Sequence, residues 1–116
     1  MRSIGQALSL TALCIAQSLS AAQADLAVTP IAPAPGSTVA RETRSSLIVQ
    51  TDPSALCSVM IELPGGRRST LTAVRAGTDG RAAWSTYYVD PGDRTATATC
   101  SLGGQKAAAT WRYSVP

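Results

Sequence analysis

Histidine and phenylalanine are both missing from this chain of 116 residues, and charged residues make up only 15% of it. Without histidine there is no imidazole to act as general base near neutral pH, no Ser-His-Asp arrangement, and no side chain of the commonest metal-ligand type. Without phenylalanine, the large core candidates shrink to Trp84, Trp111, three tyrosines and the Leu, Ile and Val residues. Long apolar runs are also scarce. The stretch from Ile4 to Ala16 falls short of the ~20 residues that span a bilayer, and nothing later is apolar enough to replace it.

That short stretch fits an export signal. Met1-Arg2 supplies a positive start, the apolar run follows, and Ala22-Gln23-Ala24 closes it with the small-x-small pattern that signal peptidase accepts. Cleavage before Asp25 would leave 92 residues, Asp25 to Pro116. Cys14 is preceded by the bulky Leu13, where a lipidation signal wants a small residue, so it is expected to leave with the signal. Residues 1–24 are thus read as a cleaved leader, with a periplasmic or secreted product and no membrane insertion after cleavage.

Removal of Cys14 leaves Cys57 and Cys100, and two cysteines in a small exported chain most simply form one bridge. Closing a loop of that length stabilises the fold by roughly 4 kcal/mol in the chain-entropy model, as an upper figure. With both thiols bridged, neither a thiolate nucleophile nor a zinc ligand set remains, and no cofactor or metal site is expected. Beyond residue 24 there are eight arginines and Lys106 against seven carboxylates, scattered along the chain. A net charge this mild gives no footprint for nucleic acid.

Residues 25–44 are rich in Pro, Ala, Ser and Thr. Pro30, Pro33 and Pro35 exclude a helix and remove ladder donors, so this part reads as an edge strand near Leu26 to Ile31 and an extended connector. From Ser45 on, short β-like runs alternate with turn signals. Ser45–Thr51, Leu56–Leu63, Ser69–Ala76, Arg81–Val89, Arg94–Leu102 and Gln105–Val115 are separated by Asp-Pro-Ser, Pro-Gly-Gly, Gly-Thr-Asp-Gly, Asp-Pro-Gly-Asp and Gly-Gly. With the Pro-rich first strand this makes seven, the usual number for an immunoglobulin-like β-sandwich. The expectation is an all-β single domain with its core in residues 45–116.

The last hairpin is the most sharply determined feature. A two-residue Gly103-Gly104 loop suits a primed turn, because glycine takes positive φ freely at both positions. This sets Leu102 opposite Gln105, Cys100 opposite Ala107, Ala98 opposite Ala109 and Ala96 opposite Trp111. One face then carries the alanines, Cys100 and Trp111, and the other carries Thr95, Thr97, Thr99, Ser101, Lys106, Thr110 and Arg112, with Ala108 alone apolar. Cys57 begins the third strand and Cys100 ends the sixth. Those strands are antiparallel neighbours in an immunoglobulin-like sandwich, so the bridge is expected within one sheet. In antibody domains it runs between sheets.

The succession T-D-P-x-A-x-C-S-V at Thr51 to Val59, D-G-R-A-A-W at Asp79 to Trp84, P-G-D-R-T-A-T-A-T-C at Pro91 to Cys100 and the following S-L-G-G resembles bacterial secreted immunoglobulin-like domains. The resemblance covers about Leu47 to Val115. It departs from antibody-type domains, because Trp84 lies too far from Cys57 and Ala98 stands where a tyrosine corner would place Tyr. What the resemblance implies is a non-catalytic extracytoplasmic module. A fold-level likeness supplies no ligand.

The polar cluster that remains is Gly65-Gly66-Arg67-Arg68, expected to share one end of the sandwich with Asp90 to Arg94. The guanidiniums of Arg67 and Arg68 are suited to gripping a carboxylate, phosphate or sulfated glycan. The plainer alternative is a surface ion pair with Asp90 or Asp93, worth under ~1 kcal/mol. Asp90 and Asp93 themselves read as turn-capping carboxylates rather than a calcium site. Trp84 and Tyr88 share a strand parity that points inward, which leaves Tyr87 as the outward aromatic. The candidate binding residues are therefore Arg67, Arg68, Tyr87, Asp90, Asp93 and Arg94, with no catalytic set. The expected role is a binding module for an envelope or extracellular protein or glycan. The alternatives are an accessory subunit joined by exchange of Leu26 to Pro35, or a small inhibitor that inserts the Arg67-Arg68 turn into an extracytoplasmic hydrolase.

Overall fold

A computed structural model describes Asp25–Pro116; the expected leader, with Cys14, lies outside the described residues. The described residues are all-β. Their seven strands are β1 (Thr29–Ala32), β2 (Arg44–Gln50), β3 (Leu56–Glu62), β4 (Arg68–Arg75), β5 (Arg81–Tyr87), β6 (Gly92–Leu102) and β7 (Gln105–Val115). They form two antiparallel sheets, one ordered β1-β2-β5 and the other β4-β3-β6-β7. The first strand begins at Thr29 rather than Leu26, although Leu26 is still buried against the core.

Period-two alternation explains why these segments pair and face as they do. Cys57, Val59 and Ile61 of β3, Ala96, Ala98 and Cys100 of β6, and Trp111, Tyr113 and Val115 of β7 all point inward. Leu47 and Val49 of β2, with Ala82 and Trp84 of β5, close the core from the other sheet. Burying each Leu or Val contributes about 1.5–3 kcal/mol. The hairpin register is the expected one, from Leu102 opposite Gln105 to Ala96 opposite Trp111. Gly103 and Gly104 both have positive φ, as a primed turn requires. The indole fills the room left by the small alanines, and its N–H donates to the Pro33 carbonyl at 3.0 Å.

Cys57 and Cys100 are direct cross-strand partners on β3 and β6, with Cα atoms 4.0 Å apart, and they are bridged. The disulfide therefore lies within one sheet. The fourth strand joins that same sheet, whereas constant-type immunoglobulin domains place it in the other sheet, beside the fifth strand. The cause is local. The tight turn at Pro64–Gly66 folds β4 straight back on β3, and the Leu63 N–H donates to the Arg67 carbonyl at 2.7 Å.

Residues 25–44 engage both sheets. β1 pairs with β2, and the chain then crosses so that Gly36 N–H donates to the Arg112 carbonyl and Val39 N–H to the Ser114 carbonyl. Thr38 thereby forms a parallel bridge with Ser114 on the outer side of β7. On the opposite flank, β4 and β5 lie edge by edge without strand pairing, and the Trp84 indole N–H donates to the Thr72 carbonyl at 2.7 Å.

Replacing both cysteines, Cys57→Ala/Cys100→Ala, is expected to lower unfolding stability by about 2–4 kcal/mol while the far-ultraviolet β signature is kept. Urea unfolding followed by tryptophan fluorescence measures this; an unchanged midpoint would show that the bridge contributes nothing.

Candidate functional site

At one end of the open flank, the Leu63–Arg67 turn faces the segment that leaves β5. Tyr87 and Val89 are each 53% exposed there, while Tyr88 between them is buried, as strand alternation requires. Together with Leu63, Arg67 and Asp90 they border a cleft of about 190 Å³. A second groove of about 260 Å³ continues along the flank between β4 and β5, lined by Ile61, Leu63 and Leu71 on one side and Ser85 to Tyr88 on the other. Leu63, Tyr87 and Tyr88 are common to both, so the two form one continuous surface.

The structure brings together some of the residues singled out in the sequence and separates others. Arg67 Nη2 meets Asp90 Oδ2 at 3.3 Å with both side chains largely in solvent, a contact worth under ~1 kcal/mol. Arg68 opens β4 opposite Glu62 and is exposed. Among the described residues, only Arg67 and Asp90 form an ion pair. Asp93 faces away from this cleft and accepts the Ser114 hydroxyl at 2.9 Å across the β6–β7 ladder. The two carboxylates of the Asp90–Asp93 turn thus serve opposite flanks.

Arg94 corrects the sequence reading, which grouped it with the exposed candidates. It shares the inward parity of Ala96, Ala98 and Cys100, and only 3% of it is exposed. Its guanidinium lies 4.9 Å from the centre of the Tyr88 ring, in a cation–π arrangement. It donates to the Asp90 carbonyl at 2.7 Å and to the Gly92 carbonyl at 3.0 Å, while its buried Nε has no partner. Arg94 holds the Asp90–Gly92 turn from beneath and places a positive charge behind the cleft.

Tyr113 appeared in the sequence only as one of the large core candidates, and its place behind the cleft emerges from the structure. It is 1% exposed, its hydroxyl lies 2.7 Å from that of Tyr88, and the two rings meet edge to face. Burial, with the Tyr88 hydroxyl adding to it, holds the Tyr113 phenol far above its ordinary range, and Arg94 opposes this only in part. The signal was present as Trp111-x-Tyr113-x-Val115, an inward run continuing the hairpin's apolar face.

The flank offers an exposed aromatic, aliphatic walls and guanidiniums. Among the described residues, no group of three or more His, Cys, Asp or Glu lies together as a metal site would require. No helix in this part of the chain is long and apolar enough to cross a membrane.

No family model matches the sequence. A search of curated proteins finds no relative of it. Solved structures do share its fold. CopC from Methylosinus trichosporium OB3b superposes with a TM-score of 0.61 at 11% identity, over 77% of this chain and 93% of CopC. The soluble domain of PmoD from Methylocystis sp. (Rockwell) gives 0.51 at 14% identity, over 78% of this chain and 90% of that domain. An endo-beta-1,4-mannanase from Thermotoga petrophila gives 0.59 at 10% identity over 81% of this chain. This chain spans about a fifth of the mannanase's length, and it spans the same share of an engineered protein matched at 19% identity with a TM-score of 0.57. At these identities the likeness is one of fold alone.

The buried hydroxyl pair generates a test. Tyr113→Phe alone orphans the Tyr88 hydroxyl and is expected to cost about 1–3 kcal/mol, whereas adding Tyr88→Phe should recover part of that loss. The same phenol is expected to make the native protein alkali-sensitive. The unfolded tyrosine ionises near pH ~10 while the folded one stays protonated, so stability is whole below that pH and falls as pH rises above it. Tyr113→Phe should flatten this fall in urea titrations run between neutral and strongly alkaline pH.

Proposed function

We propose that this chain is a non-catalytic binding module that acts at the cell envelope or outside the cell, on a partner protein or glycan. The observation that carries the reading is the β4–β5 flank. There Tyr87 and Val89 stand half exposed over a cleft with Arg67 and Asp90 at its mouth. An exposed tyrosine beside aliphatic walls offers area at low conformational cost, and an exposed arginine adds a charged anchor. The leader-like start of the chain and the Cys57–Cys100 bridge support an oxidising compartment. The fold shared with CopC and the PmoD soluble domain fits a small β-sandwich module, since this chain matches nearly the whole of each of those structures.

Non-enzymatic action is supported by the cleft's chemistry. Its polar side chains are two arginines, two tyrosines and one carboxylate already engaged by Arg67, which supplies no nucleophile with an adjacent base. Exchange of the Leu26–Pro35 segment with another subunit would break the β1–β2 pairing and the Trp111–Pro33 bond. The open flank offers a route to a partner that breaks neither.

Co-sedimentation of the purified oxidised protein with fractionated cell envelope and its glycan components tests this. Saturable binding is expected, weakened about tenfold (~1.4 kcal/mol) by Arg67→Glu/Arg68→Glu and by Tyr87→Ala. Binding to no fraction, or binding indifferent to all three changes, contradicts it.

A further inference from the structure

The backbone of β4 narrows what this flank accepts. Leu63 and Arg67 are a hydrogen-bonded pair across the turn, and the register continues with Ile61 opposite Ser69 and Val59 opposite Leu71. In an antiparallel ladder each residue directs its N–H and C=O to the same side, so Ser69 and Leu71 face β3 while Arg68, Thr70 and Thr72 face outward. The Trp84 indole bond to the Thr72 carbonyl confirms that direction independently and closes the edge at that point. Arg68 and Thr70 keep their outward backbone groups beside a groove floored by Leu63 and Leu71. This is an unpaired strand edge next to side-chain pockets, the arrangement that an added strand uses.

Arginines outnumber carboxylates around this edge, although Glu62 stands across the ladder from Arg68. Arg67 and Arg68 stand at one end, and Arg44 reaches the β5 side, where its Nη1 donates to the Ser85 hydroxyl at 3.1 Å. Arg94 lies behind the cleft, nearly wholly buried, paired only to carbonyls and with its Nε unsatisfied. The carboxylate in the cleft is Asp90, and it is held by Arg67 alone. A cation this deeply buried beside a solvent-open cleft favours an incoming anion.

We infer that the partner is a protein that lays an extended, acidic segment along β4 as an added strand. Its backbone pairs with Arg68 and Thr70, its apolar side chains enter the Leu63–Leu71–Tyr87 groove, and its carboxylates meet Arg67 and Arg68. This rests on the reading of the flank as a binding surface and names the class of partner. A sulfated glycan would use the same arginines but has no use for the strand edge, so the two are separable.

The test is selection of a displayed library of random linear peptides on the full-length protein, expressed for export and purified oxidised. Enriched peptides are expected to alternate apolar residues with Asp or Glu, and to bind about tenfold more weakly to Arg67→Glu/Arg68→Glu. They are then synthesised with N-methyl groups on alternate amides in each of the two registers. Strand addition predicts that one register abolishes binding and the other leaves it, without any change to the protein itself. Enrichment of uncharged or basic peptides, tolerance of both registers, or no enrichment overturns the proposal. If envelope co-sedimentation still responds to the arginine changes in that event, the binding-module reading stands and only strand addition falls. If both fail, both are overturned.

Discussion

The pairing of β3 with β6 sets the rest of the structure. Cys57 and Cys100 sit directly opposite each other, so the bridge locks the two central strands of the larger sheet into one register. Slippage of one strand past the other by one residue would turn either Val59 and Ile61 or Ala96 and Ala98 out to solvent, and the disulfide forbids it. From that fixed centre, the Gly103-Gly104 turn lays β7 on one side and the Pro64–Gly66 turn lays β4 on the other. The open flank exists because the second of these turns keeps β4 with β3 and away from β5. The binding surface is thus a consequence of sheet topology as well as of side-chain choice.

Much of this was legible in the residues. Alternation in L-C-S-V-M-I-E and T-A-T-A-T-C assigns inward faces without further help, and a Gly-Gly loop of two residues leaves little freedom in the register that follows. Tyr87 outward and Tyr88 inward follow from adjacency on one strand. Placing two turns at the same end of the sandwich led to an expected surface pair between Arg67 or Arg68 and Asp90 or Asp93, and the structure selects Arg67 with Asp90.

Arg94 and Tyr113 show where the reading stopped short. Both obey the same parity as their neighbours, but a cationic residue beside Asp-Pro-Gly-Asp looks like part of an exposed turn. Two things make its burial tolerable: carbonyls in the Asp90–Gly92 turn to accept its protons, and an aromatic face to lie against. Neither is visible until Tyr88 and Tyr113 are placed together. The side chosen by β4 was likewise silent in the sequence, because a strand exposed on both faces carries no strong alternation to assign it.

Amide hydrogen exchange, read residue by residue on the oxidised protein alone and when bound to the envelope fraction that retains it, tests the open flank most directly. Bound protein should gain protection at Arg68 and Thr70, whose backbone N–H groups face outward, and around Tyr87 to Val89, with the Ser69 and Leu71 amides little changed because β3 already pairs them. Protection appearing instead on the outer face of β6 and β7, with Arg68 and Thr70 still exchanging freely, would contradict the account.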